Sequence, residues 1–112
     1  MTHMLVELYE PKPAWLSLDA GAREAFFAKV GDGMAALTAL GIEPVGFGDA
    51  DPAVPHGTGR RFFAVWRLPD RHALGALVEG IAASGWQDFF DTINAAGQVT
   101  GIADHLTQLA RL

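Results

Sequence analysis

The sequence contains no cysteine. Disulfide bonds, zinc–thiolate sites, iron–sulfur ligation and thiol nucleophiles are therefore excluded. Positive charge is also scarce, because eight Lys and Arg residues stand against thirteen Asp and Glu residues, a net charge of −5 with no basic run. Nucleic acids and anionic membrane surfaces both require a basic footprint on the protein, so we expect neither as a partner.

Long apolar runs are missing as well. No segment approaches the roughly 20 apolar residues of a membrane-spanning helix, and the first four residues do not resemble the start of a signal peptide. These features predict a cytoplasmic protein. Apolar residues nevertheless make up 50% of the 112 residues and charged residues only 19%. This composition predicts a folded domain with a substantial core rather than a disordered chain.

The clearest strand pattern in the chain covers residues 61–70. It is apolar on both faces, ends at Pro69 and leads into a helix that Asp70 is expected to cap. One side of this strand is wholly apolar and is predicted to face the helices: Phe62, Ala64, Trp66 and Leu68. The other side is apolar only in its middle: Arg61, Phe63, Val65 and Arg67.

Local patterns predict the remaining elements. Residues 4–9 alternate as a first strand, and a helix of roughly 20 residues should begin after Asp19 and stop at Gly41. Two glycines inside that helix, Gly31 and Gly33, indicate close packing against the sheet or, alternatively, a kink. Pro44 confines residues 42–48 to a sheet edge.

The second half of the chain contains weaker patterns. Residues 49–60 form a long loop, and a second helix should run from Asp70 to Gly85. A helical turn over residues 86–91, a weak last strand near Ile93 and residues 98–100, and a helical tail from about residue 101 complete the prediction.

This order of elements, strand–helix–strand–strand–helix–strand, predicts an α+β fold of the ferredoxin-like βαββαβ type. We expect one such domain over residues 1–112, with the tail at about 101–112. Its first and third strands should be central neighbours in an antiparallel sheet, with two helices on one face. The opposite face would then expose an apolar patch, so a second copy that packs sheet against sheet is expected, giving a homodimer.

Together with this order, three segments resemble a small, uncharacterised bacterial family related to the dimeric α/β-barrel superfamily. They are Pro11-Lys12-Pro13-Ala14-Trp15, Ala64-Val65-Trp66-Arg67-Leu68-Pro69-Asp70 and Gly85-Trp86-Gln87-Asp88-Phe89-Phe90. The resemblance implies the dimeric barrel. The superfamily includes cofactor-independent monooxygenases, lactone isomerases, haem-handling enzymes and members with no known activity. It shares no functional motif, so the resemblance assigns no catalytic residue.

If the two central strands pair about their centres, Glu7 faces Phe63 and Tyr9 faces Arg61 on the open side of the sheet. The loop that carries His56 leads into the same end. We therefore predict Glu7 and His56 as catalytic proton-transfer groups, with Tyr9, Arg61 and Phe63 as ligand contacts. A structural Glu–Arg ion pair and a turn-stabilising His56 are the alternatives.

Three more residues complete the predicted ligand contacts: Trp66, Arg67 and Trp86. Trp86 lies beside two phenylalanines, which is typical of a core residue or a cavity wall. Arg67 is equally compatible with an interface contact. Asp49, Asp51 and His56 share one loop, but their spacing matches no metal-binding motif, so neither a metal nor a cofactor is predicted.

The sequence favours a protein that binds or converts a small organic molecule in a sheet-face cavity without a tightly bound cofactor. A monooxygenase-like or isomerase-like reaction would fit the resemblance. The alternative is a non-catalytic dimeric interaction or regulatory module, whose open face serves only to pair.

Overall fold

A four-stranded antiparallel sheet organises the fold in the computed structural model, which describes residues 1–112. The strands lie in the order β2-β3-β1-β4, and the two long helices, α2 and α3, cover one face. This is the ferredoxin-like arrangement, so the predicted α+β fold is confirmed. In chain order the elements are β1 (His3–Pro11), α1 (Pro13–Leu16), α2 (Ala20–Ala39), β2 (Glu43–Asp49), β3 (Phe62–Leu68), α3 (Arg71–Ala83), α4 (Trp86–Phe89), β4 (Phe90–Gln98) and α5 (Ile102–Ala110).

Side-chain caps begin both long helices, as predicted. Asp19 accepts a hydrogen bond of 2.8 Å from the backbone N–H of Ala22, and Asp70 accepts one of 2.8 Å from that of Ala73. Each carboxylate satisfies an amide that the first helical turn leaves without a partner. Gly41 follows α2 with a φ of 82°, a conformation that glycine adopts without steric cost.

One short helix was not predicted, and one local prediction was wrong. Pro13 begins the helix α1, where its fixed φ suits the first helical position. The helical turn after Gly85 ends at Phe89, and Phe90 already belongs to β4. β4 pairs with β1 from Pro11 back to His3, so tertiary pairing overrides the weak strand propensity of this glycine-containing segment.

The register of the two central strands also differs from the prediction. Glu7 lies opposite Ala64 and Tyr9 lies opposite Phe62, so the predicted partners Phe63 and Arg61 are wrong by one residue. Because side chains alternate between the faces of a sheet, this single step places Glu7 and Tyr9 on the helix side. The open face instead receives the other set of β1 side chains: Met4, Val6 and Leu8.

The core consists of two clusters on the helix side of the sheet. The larger one joins the sheet to α3: Leu5, Ile42, Ala64, Trp66, Leu68, Ala73 and Leu77. The smaller one contains Trp15, Phe26 and Phe90. Tyr9 packs against both clusters, so the β1 strand links them.

The opposite face of the sheet is uncovered. Phe63 and Val65 are only partly buried, and Ile93 on β4 is 47% exposed. The C-terminal helix α5 does not cover this face, because all of its residues are exposed, including the apolar Ile102 and Leu106. None of the helices combines the length and the apolar character needed to cross a membrane.

Leu77 should be one of the residues on which folding depends most. It is 1% exposed in the larger cluster, so Leu77→Ala removes buried methyl groups and leaves a cavity, at a cost of about 3 kcal/mol. Leu16→Ala is the matched control, because Leu16 is 61% exposed, and it should change stability by less than about 0.5 kcal/mol. Urea denaturation measures both, and equal losses would contradict this description of the core.

Candidate functional site between the sheet and the helices

A cavity of about 730 Å³ lies between the sheet and the two long helices. The helix α2 contacts the smaller core cluster through Phe26 and the larger one through Met34 and Leu37. The cavity lies beneath the helix between these anchors, with Glu7 and Ala64 among its sheet residues. Its edge is open to solvent, since the lining residues Phe27 and Phe47 are 51% and 56% exposed.

The glycines of α2 do not serve the close packing expected of them. A Cβ atom added at Gly31 or at Gly33 would meet nothing within 4 Å. Gly33 lines the cavity, whereas Gly31 does not. The missing side chain of Gly33 therefore leaves space in the cavity wall, and the prediction of close packing against the sheet is wrong at both positions.

Glu7 is the buried acid of this site. It is 4% exposed, and its Oε1 atom accepts a hydrogen bond of 2.8 Å from the indole Nε1–H of Trp66. No protein group donates a hydrogen bond to its other carboxylate oxygen, Oε2. Burial raises the pKa of Glu7 above its ordinary value, and the hydrogen bond from Trp66 offsets part of that increase.

Tyr9 supplies a second polar group next to Glu7. Its ring stacks on Phe62 with 5.8 Å between centroids and meets the edges of Trp86 at 5.2 Å and Phe90 at 5.9 Å. Burial raises the pKa of Tyr9, and the negative charge of Glu7 raises it further. The phenol therefore stays protonated and is available as a hydrogen-bond donor.

Two indoles hold the shape of the cavity. Trp66 packs against the edge of Phe47 with 5.3 Å between ring centroids, while its N–H is committed to Glu7. Trp86 stacks on Phe90 at 4.1 Å and donates its N–H to the hydroxyl of Thr92 at 3.2 Å. The polar atom of each indole already has a partner, so the surface that both tryptophans contribute to the cavity is apolar.

The predicted site residues thus separate into two groups. Four of them line the same cavity: Glu7, Tyr9, Trp66 and Trp86. The other four lie elsewhere: His56, Arg61, Phe63 and Arg67. The predicted convergence of Glu7 and Tyr9 with His56, Arg61 and Phe63 on the open face is therefore wrong. The shifted register is the reason, because it turns Glu7 and Tyr9 to the helix side.

The residues outside the cavity have other surroundings. His56 is exposed in the loop between β2 and β3, and the guanidinium of Arg61 lies 5.0 Å from the ring of Phe62. On the open face, Arg67 forms an ion pair of 3.3 Å with Glu43. The structure brings no three or more His, Asp or Glu side chains together in a way that would hold a metal ion.

Sequence reasoning missed the wall that α2 contributes. Lys29, Val30 and Gly33 all line the cavity, and none was predicted to do so. Gly33 was the available indication, because a glycine in a helix interior costs helix stability without forming a turn.

The topology and the buried acid define a ferredoxin-like α+β protein with an apolar cavity beneath its helices. The chain belongs to the family of unknown function DUF6616, whose model matches residues 2–112. The resemblance drawn from the sequence to a small family of this kind is confirmed. None of the curated proteins matches the sequence.

Solved structures with the same fold come from proteins of low sequence identity. A protein provisionally described as a chlorite dismutase superposes with a TM-score of 0.65 at 13% identity, over 97% of this chain and 48% of its own. This chain therefore spans about half of that protein. A dimeric ferredoxin-like protein of unknown function from Thermobifida fusca gives 0.54 at 13% identity, over 88% of this chain and 92% of its own.

A third similar structure is a DABB family protein with a ferredoxin-like fold from Mesorhizobium loti. It gives a TM-score of 0.53 at 12% identity, over 89% of this chain and 98% of its own. At these identities the comparisons establish the fold and not the activity.

The raised pKa of Glu7 predicts how stability depends on pH. In the unfolded chain the carboxyl of Glu7 loses its proton near pH 4.5, whereas in the folded chain it keeps that proton to higher pH. The stability of the protein should therefore fall as the pH rises above 4.5, because the folded state must then bury the charged carboxylate. Glu7→Gln keeps an acceptor for Trp66 and removes the charge. The variant should become more stable relative to the wild type as the pH rises above 4.5, by about 1.4 kcal/mol for each unit of raised pKa.

Denaturant titrations at several pH values measure this difference. Glu24→Gln is the control for the loss of one carboxylate, because Glu24 is exposed on α2, and its replacement should change stability by less than about 0.5 kcal/mol. If the stability difference between Glu7→Gln and the wild type did not change with pH, the carboxyl of Glu7 would not be buried as described.

Proposed function

We propose that this protein binds a small, largely apolar organic molecule in the cavity beneath α2, and that Glu7 exchanges a proton with it. The observation that carries the proposal is the buried carboxyl with one oxygen free of protein partners, set in a cavity of about 730 Å³. Cavities of this size that contain few polar groups are typical of small-molecule sites.

The chemistry suits proton transfer. A carboxyl whose pKa is raised by burial takes up and releases a proton closer to neutral pH than an exposed one. Trp66 fixes the orientation of the carboxyl, and the hydroxyl of Tyr9 can hydrogen-bond an oxygen of the bound molecule. A reaction that begins by removing a proton next to a carbonyl, such as an isomerisation or a cofactor-independent oxygenation, requires a base and a hydrogen-bond donor to the carbonyl oxygen, and Glu7 and Tyr9 can supply them.

Tyr9, Trp66 and Trp86 are the ligand contacts in this proposal. His56, predicted from the sequence as the second proton-transfer group, is not included because it does not line the cavity. The same holds for the three open-face candidates: Arg61, Phe63 and Arg67.

Filling the cavity tests the binding proposal. Gly33→Leu places a side chain in the cavity, whereas Gly31→Leu on the same helix points into open space outside it. Both variants should fold, because replacing glycine by leucine favours a helix by about 0.8 kcal/mol. The neutral fluorophore N-phenyl-1-naphthylamine should bind the wild type and Gly31→Leu alike. It should bind Gly33→Leu about tenfold more weakly or worse, since crowding costs roughly 1–3 kcal/mol.

Two results would contradict the binding proposal. Equal affinity for all three proteins would place the fluorophore outside the cavity. No binding to the wild type would remove the support for a small-molecule site.

We also propose that the protein is a homodimer that buries the open face of its sheet. The apolar centre of that face has no cover in the chain itself: Met4, Val6, Leu8, Phe63 and Val65. The similar protein from Thermobifida fusca is described as dimeric. This face also favours the second candidate function, a non-catalytic pairing module, in which the cavity would bind nothing.

Light scattering measures the dimer directly. The wild type should have about twice the 11.9 kDa mass of one chain. Val65→Lys places a charge in the centre of the open face, where pairing would desolvate it, and should give a monomer that is still folded. Ala35→Lys, at an exposed position of α2, should remain dimeric. A wild-type monomer, or a Val65→Lys dimer, would contradict pairing through this face.

A further inference from the structure

Charge is distributed unevenly along the wall of the cavity. Lys29 on α2 is the only cationic side chain that lines it, and Glu7 on β1 is the only acidic one. Lys29 is exposed and forms no ion pair with any carboxylate of the chain. Glu7 lies on the buried sheet side, whereas Lys29 lies where the cavity meets solvent.

These two groups impose different requirements on a bound molecule. An anionic group beside the carboxyl of Glu7 would be opposed both by its negative charge and by the apolar surroundings. An anionic group at Lys29 could form an ion pair with a cation that has no carboxylate partner in the protein, and it would keep part of its hydration. The apolar wall between them accommodates rings or alkyl groups.

We infer that the cavity selects organic anions: molecules with an apolar, ring-sized body that lies over Trp66 and a carboxylate or similar acid group held by Lys29 at the mouth. This inference rests on the proposed function, because it names the class of ligand that the same cavity takes. It assigns to Lys29 a role in ligand selectivity and none in proton transfer.

Two fluorophores that share one ring system provide the test. N-phenyl-1-naphthylamine is neutral, and 8-anilinonaphthalene-1-sulfonate carries the same rings with one added anionic group. The ratio of their dissociation constants, neutral over anionic, isolates the contribution of the charge, because the apolar contacts cancel. Titrations of wild type, Lys29→Gln, Lys29→Arg and Arg71→Gln give this ratio for each protein.

Arg71→Gln is the matched control. Arg71 is an exposed cation at the start of α3 and does not line the cavity, so its loss changes the net charge by the same amount as Lys29→Gln. The ratio should fall roughly three- to fivefold in Lys29→Gln, the size expected for one partly solvated ion pair. It should stay at the wild-type value in Lys29→Arg and in Arg71→Gln.

The outcomes separate this inference from the function on which it rests. If both fluorophores bind and Lys29→Gln leaves the ratio unchanged, the selectivity for anions is refuted while the cavity remains a binding site. An equal fall in Arg71→Gln would also refute it, because net charge rather than Lys29 would be the cause. If neither fluorophore binds the wild type, the proposed small-molecule site is refuted, and the inference about Lys29 is refuted with it.

Discussion

The pairing of β1 with β3 is the constraint on which the rest of the structure depends. Glu7 opposite Ala64 places a carboxyl on the helix side of the sheet, beside the indole of Trp66 on the neighbouring strand. Ala64 has a small side chain, which leaves room above this part of the sheet for both the carboxyl and the cavity. A shift of one residue would turn every β1 side chain to the opposite face, and Glu7 and Tyr9 would no longer line the cavity.

Burial of Glu7 opposes folding, and the surrounding structure offsets that cost. The indole N–H of Trp66 donates a hydrogen bond to one carboxylate oxygen. Because the pKa of Glu7 is raised, the carboxyl stays protonated and uncharged to higher pH than an exposed one. Two core clusters on either side supply apolar burial that does not involve the carboxyl. Polar groups that reduce stability in this way are often found at functional sites, where chemistry rather than packing explains them.

The elements of the fold could be predicted because their determinants are local. The caps at Asp19 and Asp70 and the terminator at Gly41 lie within a few residues of the ends that they define. The register could not be predicted in the same way. Both alternating sets of β1 contain apolar residues, and the polar Glu7 and Tyr9 favour the solvent side when composition alone is considered. Only contact with β3 and α3 decides between the two faces.

That ambiguity also explains why only four of the eight predicted residues line the cavity. Trp66 and Trp86 were selected for their chemistry, and Glu7 and Tyr9 lie with them only because the observed register turns both β1 side chains to the helix side. Arg61 and Phe63 were selected through the assumed pairing, so they were lost with it. The correct register separates the two surfaces of the sheet, with apolar side chains on the open face and the acid beneath the helices. Pairing of two chains through the open face would therefore leave the cavity of each chain accessible, so the proposed dimerisation and the proposed ligand binding would use different residues.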